Sequence, residues 1–128
     1  MGLKLLKEYV KERYGHEVVE VPGGFAVYGY QDYNGEKIIY VQDFFVSKEQ
    51  RGFSGKASYR HLFNKLKKIA LKDKCTGIAG QIQLDTLNGQ EMLKLFLYLG
   101  FKVIRGDGNG LLIIYEVKDG RKSIHNRS

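Results

Sequence analysis

The side chains best suited to chemistry gather between Asp43 and Ala57, which reads Asp-Phe-Phe-Val-Ser-Lys-Glu-Gln-Arg-Gly-Phe-Ser-Gly-Lys-Ala. A carboxylate inside an apolar run loses hydration, which raises its pKa and suits it to trading a proton directly or through a water. Asp43 is therefore the candidate acid or base, although a buried acid satisfied by backbone or by a neighbouring Tyr or Arg fits the same position equally well. Beyond it, Gly52 and Gly55 let the backbone approach a ligand closely, and Arg51 and Lys56 add positive charge. A turn of this kind before a helix offers unpaired N–H groups with the helix dipole behind them, an arrangement that favours an anion such as a pyrophosphate. Glycine also serves loops and caps for steric reasons alone, so the turn by itself reads either way.

Other reactive residue types are scattered. His16, His61 and His125 show no metal-ligand spacing and no Ser or Cys partner in sequence, so no metal site is expected. Cys75 is the single cysteine. It has no partner for an internal disulfide, suits a reducing cytoplasm, and reads as a small buried hydrophobe rather than a nucleophile.

The elements that must position the Asp43–Ala57 stretch follow from periodicity. Leu3, Leu6, Tyr9, Val10 and Tyr14 recur at helical intervals, and Gly15 supplies a stop, which predicts a helix over Gly2–Tyr14. Short β-branched and aromatic runs predict strands at Glu17–Val21 and Phe25–Tyr30, separated by Pro22-Gly23-Gly24. Asn34-Gly35 is a hairpin signal, because type I′ turns need positive φ at both central positions. It leads into a long apolar strand, Lys37–Val46. Tyr59, Leu62, Phe63, Leu66, Ile69 and Ala70 then mark a helix from Gly55 to Lys72 that packs on a sheet. A strand at Gly77–Leu84, a helix at Gly89–Leu99, a strand at Phe101–Ile104, a turn at Gly106–Gly110 and a strand at Leu111–Val117 complete an α/β (α+β) pattern. Such a series makes one mixed sheet with helices on its faces.

Length and charge bound the function. A chain of 128 residues is the size of one domain. We expect a single unit over 1–118 and a flexible basic tail over 119–128. Apolar residues at 43% and charged residues at 27% give the balance of a soluble globular protein. No stretch approaches the roughly 20 apolar residues of a membrane span, and the charged N-terminus lacks the apolar run of a secretory signal. The net charge of +7 attracts phosphates. Lys65, Lys67, Lys68, Lys72 and Lys74 form one basic run, which reads first as a solvated helix face and only then as a nucleic-acid patch.

The order of apolar strand, Arg-Gly-rich turn, long helix and later aromatic segment ending in Gly-Phe resembles the GNAT N-acetyltransferases from about Ile38 to Phe101. Tyr40-Val41-Gln42-Asp43-Phe44-Phe45-Val46 and Arg51-Gly52-Phe53 look most like the diamine and polyamine acetyltransferases within that family. The resemblance implies a GNAT-like, mostly antiparallel central sheet flanked by helices. It implies acetyl-CoA as cosubstrate, with pantetheine paired against Phe45 and Val46. Pyrophosphate would be held by backbone amides of Arg51, Gly52, Phe53, Ser54, Gly55, Lys56 and Ala57. Asn88 resembles a cofactor-contacting asparagine one position out of register and also reads as an N-cap. The reaction would be direct attack of an amine on the thioester, with the amine borne by a small molecule or a protein. Asp43 would act beside the thioester, and Tyr98 would protonate the leaving thiolate, although a tyrosine in an aromatic stripe also suits the core.

Three departures stand beside the likeness. Ser54 and Lys56 fall on glycine positions of the family's phosphate turn, Phe96 stands where the thiolate-protonating tyrosine is found, and Gln42 replaces a carboxylate of the polyamine enzymes. The N-terminal part is shortened as well, with one helix directly before the second family strand, so either a homodimer partner completes the acceptor wall or the acceptor is large. A catalytically silent GNAT-like domain and a basic nucleic-acid-binding module are the second and third readings.

Overall fold

The computed structural model describes residues 2–47, 55–85 and 89–117. The helix α1 (Gly2–Tyr14) ends where Gly15 takes a φ of 72° and donates its N–H to the Lys11 carbonyl at 3.0 Å. Glycine takes that left-handed conformation without a Cβ penalty, which closes the helix. Strands β1 (Glu17–Val21), β2 (Gly24–Tyr33) and β3 (Glu36–Val46) follow as an antiparallel meander. Asn34 and Gly35, with φ of 53° and 84°, turn the β2–β3 hairpin as their residue types predict. After β3 the chain crosses through α2 (Gly55–Lys72) into β4 (Gly77–Gln83), which lies parallel to β3. Then α3 (Gly89–Leu99) leads into the hairpin β5 (Lys102–Asp107) and β6 (Gly110–Glu116).

The six strands lie in the order β1-β2-β3-β4-β6-β5, antiparallel at every junction except β3/β4. A parallel pair needs a crossover, and α2 supplies it. Alternate residues Ala26, Tyr28, Ile39, Ile78, Ile82 and Ile113 face α2 and α3, where they close over Leu62, Phe63, Leu66, Ala70 and Phe96. This is the main core. On the opposite face α1 packs against β1, with Val10 buried. His16 lies so close to β2 that a Cβ on Gly29 would meet its ring at 2.7 Å.

The strand limits differ from the sequence expectation where a partner strand extends them. β2 runs on to Tyr33 because β3 pairs with it along its whole length. β5 begins one residue late, because Phe101 is drawn into the core with its N–H on the Phe96 carbonyl at 3.0 Å. It also reaches Asp107, since β6 continues to offer it a partner.

Candidate functional site

The sheet forks. β3 and β4 pair only from Ile38/Gly77 to Val41/Gly80, yet β3 continues to Val46 and β4 to Gln83. Their outer edges stay zipped: β3 follows β2 as far as Val46/Gly24, and β4 follows β6 as far as Gln83/Gly110. The divergence therefore separates two halves of one sheet. Its cause is visible in the register of β2 and β3, where Val27 faces Asp43 and Tyr28 faces Val41, leaving Gln42 as an extra residue. A β-bulge of this kind bends the strand that carries it and increases its twist. It sits beside the last β3/β4 pair, and it also resets the alternation: Ile39, Val41 and then Phe44 face the core.

The bulge changes the reading of Asp43. Without the extra residue, Asp43 would follow Ile39 and Val41 onto the core face. In the structure both Gln42 and Asp43 are exposed, so the expected carboxylate embedded in an apolar strand is corrected to one at the wet rim of the fork.

The fork opens into a cavity of about 250 Å³. Its walls are Val41–Phe44 of β3 and Ala79–Gln83 of β4, and its apolar floor includes Phe63, Leu66, Met92, Phe96 and Phe101. Phe44 is held between α2 and α3, stacked on Tyr59 at 5.8 Å and edge-on to Phe96 at 5.0 Å. At the far end α3 begins hard against β4, where a Cβ on Gly89 would lie 2.0 Å from the Gln83 carbonyl oxygen. Only glycine lets the helix start there. Among the described residues of the lining, those with polar side chains are Gln42, Asp43, Gln81 and Gln83, although the alternation of β4 aims the amides of Gln81 and Gln83 away from the core-facing Ile82.

The residues expected at the site divide into three groups. Asp43 lines the cavity, and Phe45 and Val46 lie on β3 beyond the end of the parallel ladder. Phe45 is 42% exposed with its ring 5.7 Å from Phe25, whereas Val46 is buried. Gly55, Lys56 and Ala57 form the first turn of α2, so their backbone N–H groups stand at a helix start as expected. Arg51, Gly52, Phe53, Ser54 and Asn88 lie outside the described residues.

Tyr98 is elsewhere. It is 61% exposed, accepts a hydrogen bond from the Arg60 guanidinium at 2.6 Å, and is absent from the described lining, which takes Phe96 from the same helix. Two residues on a helix turn a side chain well away from its neighbour's direction. Cys75 is buried at the closed end of the β3/β4 pair, where burial pushes its thiol pKa up and keeps it from acting as a nucleophile.

Sequence reasoning missed Gln81, Gln83, Met92 and Gly89 as site residues. The signal was present in Gly77-Ile-Ala-Gly-Gln-Ile-Gln83, where two amides interrupt an otherwise apolar central strand.

No family model and no curated protein sequence matches the chain. Solved structures do. The chain is similar to the NatC complex bound to Gag peptide and CoA, with 14% identity over 89% of this chain and 79% of that one, and a TM-score of 0.64. It is equally similar to the PaiA N-acetyltransferase of Thermoplasma acidophilum in complex with coenzyme A, with 16% identity over 89% and 70% of the two chains and the same TM-score of 0.64. A GNAT-family acetyltransferase from Desulfovibrio desulfuricans superposes with a TM-score of 0.68, at 12% identity over 90% and 78%. This is the GNAT fold. The expectation of a mostly antiparallel GNAT-like sheet flanked by helices holds, with a single helix preceding β1. Within the GNAT fold the bulged β3, the fork and the helix start at Gly55 are brought together by the one parallel crossover. No helix among the described residues is long and apolar enough to cross a membrane.

Proposed function

We propose that the chain is an acetyl-CoA-dependent N-acetyltransferase that passes the acetyl group directly to an amine. The observation that carries this reading is the forked β3/β4 pair with an apolar cavity at its mouth, in a fold whose similar structures include CoA complexes. The cavity suits a slender, mostly apolar arm entering between two strands, and the first turn of α2 suits the phosphates outside it. In this assignment Gly55, Lys56 and Ala57, continuing from Arg51, Gly52, Phe53 and Ser54, hold pyrophosphate through backbone N–H groups. The edge of β3 from Gln42 through Phe45 and Val46 orients the arm, and Asn88 contacts it near the start of α3.

Acetyl-CoA supplies an activated thioester carbonyl. The amine nitrogen bonds to that carbon, the C–S bond breaks, and CoA departs as thiolate. Asp43, at the exposed rim, takes the amine's proton directly or through a water and passes it to solvent, and the thiolate is reprotonated from the water that reaches the fork. Tyr98 is the proposed side-chain donor to the thiolate, but it is bonded to Arg60 and lies outside the described cavity lining, so Asp43 carries more of the assignment. The acceptor is an amine on a small molecule or a protein. Residues 1–118 form the acyltransferase-like unit and 119–128 a basic tail. We place the protein in the cytoplasm and propose that it acts as a homodimer.

The second reading is a catalytically silent domain that binds CoA or a protein. It is favoured by Phe96, which lines the cavity without offering a hydroxyl. The nucleic-acid reading is weaker, since Lys65 is bonded to the Glu20 carbonyl at 3.0 Å and Lys67 lies over the rings of Phe63 and Tyr115. Calorimetric titration with acetyl-CoA and CoA tests the proposal. Micromolar binding of both supports it, and an acceptor screen then separates enzyme from silent domain. No binding at high ligand concentration sinks the enzyme.

A further inference from the structure

A second groove, of about 360 Å³, lies on the face of the sheet opposite α2 and α3. Tyr40 of β3, Ala79 and Gln81 of β4, Leu112 and Ile114 of β6 and Arg105 of β5 contribute to it. These residues alternate with the core-facing Ile39, Ile78, Ile82 and Ile113, as a pleated sheet requires. Ala79 and Gln81 belong to both cavities. The groove and the forked cleft are therefore neighbours through the sheet, and they meet at Gln81, the first β4 residue beyond the last β3/β4 pair.

The chemistry of this groove is one-sided. Gln81 stands opposite Leu112, and Leu112 opposite Arg105, so the three form one row across β4, β6 and β5. At one end of the row is a neutral amide, in the middle an apolar side chain, at the other end a guanidinium. Arg105 is exposed, makes no ion pair among the described residues, and is the only charged side chain among the described residues of the lining. With strands about 4.8 Å apart, the backbones of Gln81 and Arg105 are separated by about 10 Å, and side chains reaching inward shorten the span.

We infer that the groove seats the acceptor, and that the acceptor is an amino acid-like molecule: a primary amine joined through an apolar body to a carboxylate. The carboxylate sits at Arg105, whose planar guanidinium matches it with two parallel hydrogen bonds. The body lies on Leu112 and Ile114. The Gln81 carbonyl accepts a hydrogen bond from the amine and turns its lone pair toward the fork. A polyamine is disfavoured, because its second cation meets Arg105 and a net charge of +7. The inference rests on the acetyl-transfer reading for its reaction, but its ligand class rests on the groove alone.

The test measures equilibrium binding of 4-(aminomethyl)benzoate, benzylamine and spermidine to the full chain, both alone and with CoA present, and then acetyl transfer to each from acetyl-CoA. We expect 4-(aminomethyl)benzoate to bind about two- to fivefold tighter than benzylamine, the scale of one exposed ion pair. That margin collapses in Arg105→Gln and narrows with salt. Gln81→Leu weakens both aromatic amines alike. Equal binding of the two, tighter binding of spermidine, or a margin that survives Arg105→Gln overturns the inference. If the carboxylated amine binds as expected but is not acetylated, or CoA does not bind, the enzyme reading falls and the groove's ligand class stands.

Discussion

The two ends of the β3/β4 pair are built from the same strands and behave oppositely. At the closed end, Ile38–Val41 and Gly77–Gly80 are hydrogen-bonded, and a set of side chains clasps the α2–β4 turn beside them. Tyr30 donates to Asp73 at 2.5 Å, Lys37 sits 4.7 Å over the Tyr30 ring, and the Thr76 N–H reaches the Lys37 carbonyl at 2.9 Å. Burial, and then that bond to Asp73, push the Tyr30 hydroxyl pKa far up. At the forked end the ladder stops, two amides replace apolar residues on β4, and a carboxylate is turned to solvent. The closed end stores stability, and the forked end gives part of it up for access. One extra residue, Gln42, separates the two regimes.

That contrast can be broken by substitution. Ile39, fully buried at the closed end and outside the cavity lining, should be the most costly: Ile39→Ala should lose about 2–5 kcal/mol in urea unfolding, while CoA affinity of the folded fraction is retained. At the rim, Asp43→Asn should do the reverse, lowering turnover about 100-fold with stability changed by less than about 0.5 kcal/mol. Equal turnover would remove Asp43 from the mechanism. Gly89→Ala should affect both, because the new Cβ must displace α3 or the end of β4. A stability loss of about 1–3 kcal/mol is expected, together with weaker CoA binding in calorimetry.

Two smaller effects sharpen the comparison. Phe96→Tyr places a hydroxyl in the cavity lining, and steady-state kinetics should show turnover rising about tenfold if the leaving thiolate passes that wall. No rise would place the thiolate elsewhere. At the closed end, burial raises the Cys75 thiol pKa, so the folded chain holds that proton more tightly than the unfolded one. Its contribution is whole below the unfolded thiol's value, about 8.5, and is lost as pH rises beyond it. Cys75→Val should therefore make the alkaline decline of stability shallower, though not flat, because Tyr28 and Tyr30 are raised in the same direction.

Much of this molecule was legible in local pattern. The limits of α1, β1, α2 and α3 are those that helical spacing, β-branched runs and glycine stops predict, because each signal is read within a few residues of the chain. The Asn34-Gly35 turn is equally local. The basic run on α2 also belongs to the helix face that periodicity assigns, with Lys65 tied to the Glu20 carbonyl and Lys67 to the Tyr115 ring by long-range contacts that no local signal announces.

Only tertiary structure decided the site. Whether Asp43 faces core or water depends on one bulged residue, and a bulge exists only in the register between two strands. Whether Phe96 or Tyr98 meets the cavity depends on how α3 is turned against Phe44 and Phe101. The row Gln81–Leu112–Arg105 joins residues far apart in the chain, which pairing alone makes neighbours. Local sequence determined the elements and supplied the reactive types. Long-range pairing, which sums contacts that no window of the chain contains, determined which of them meet.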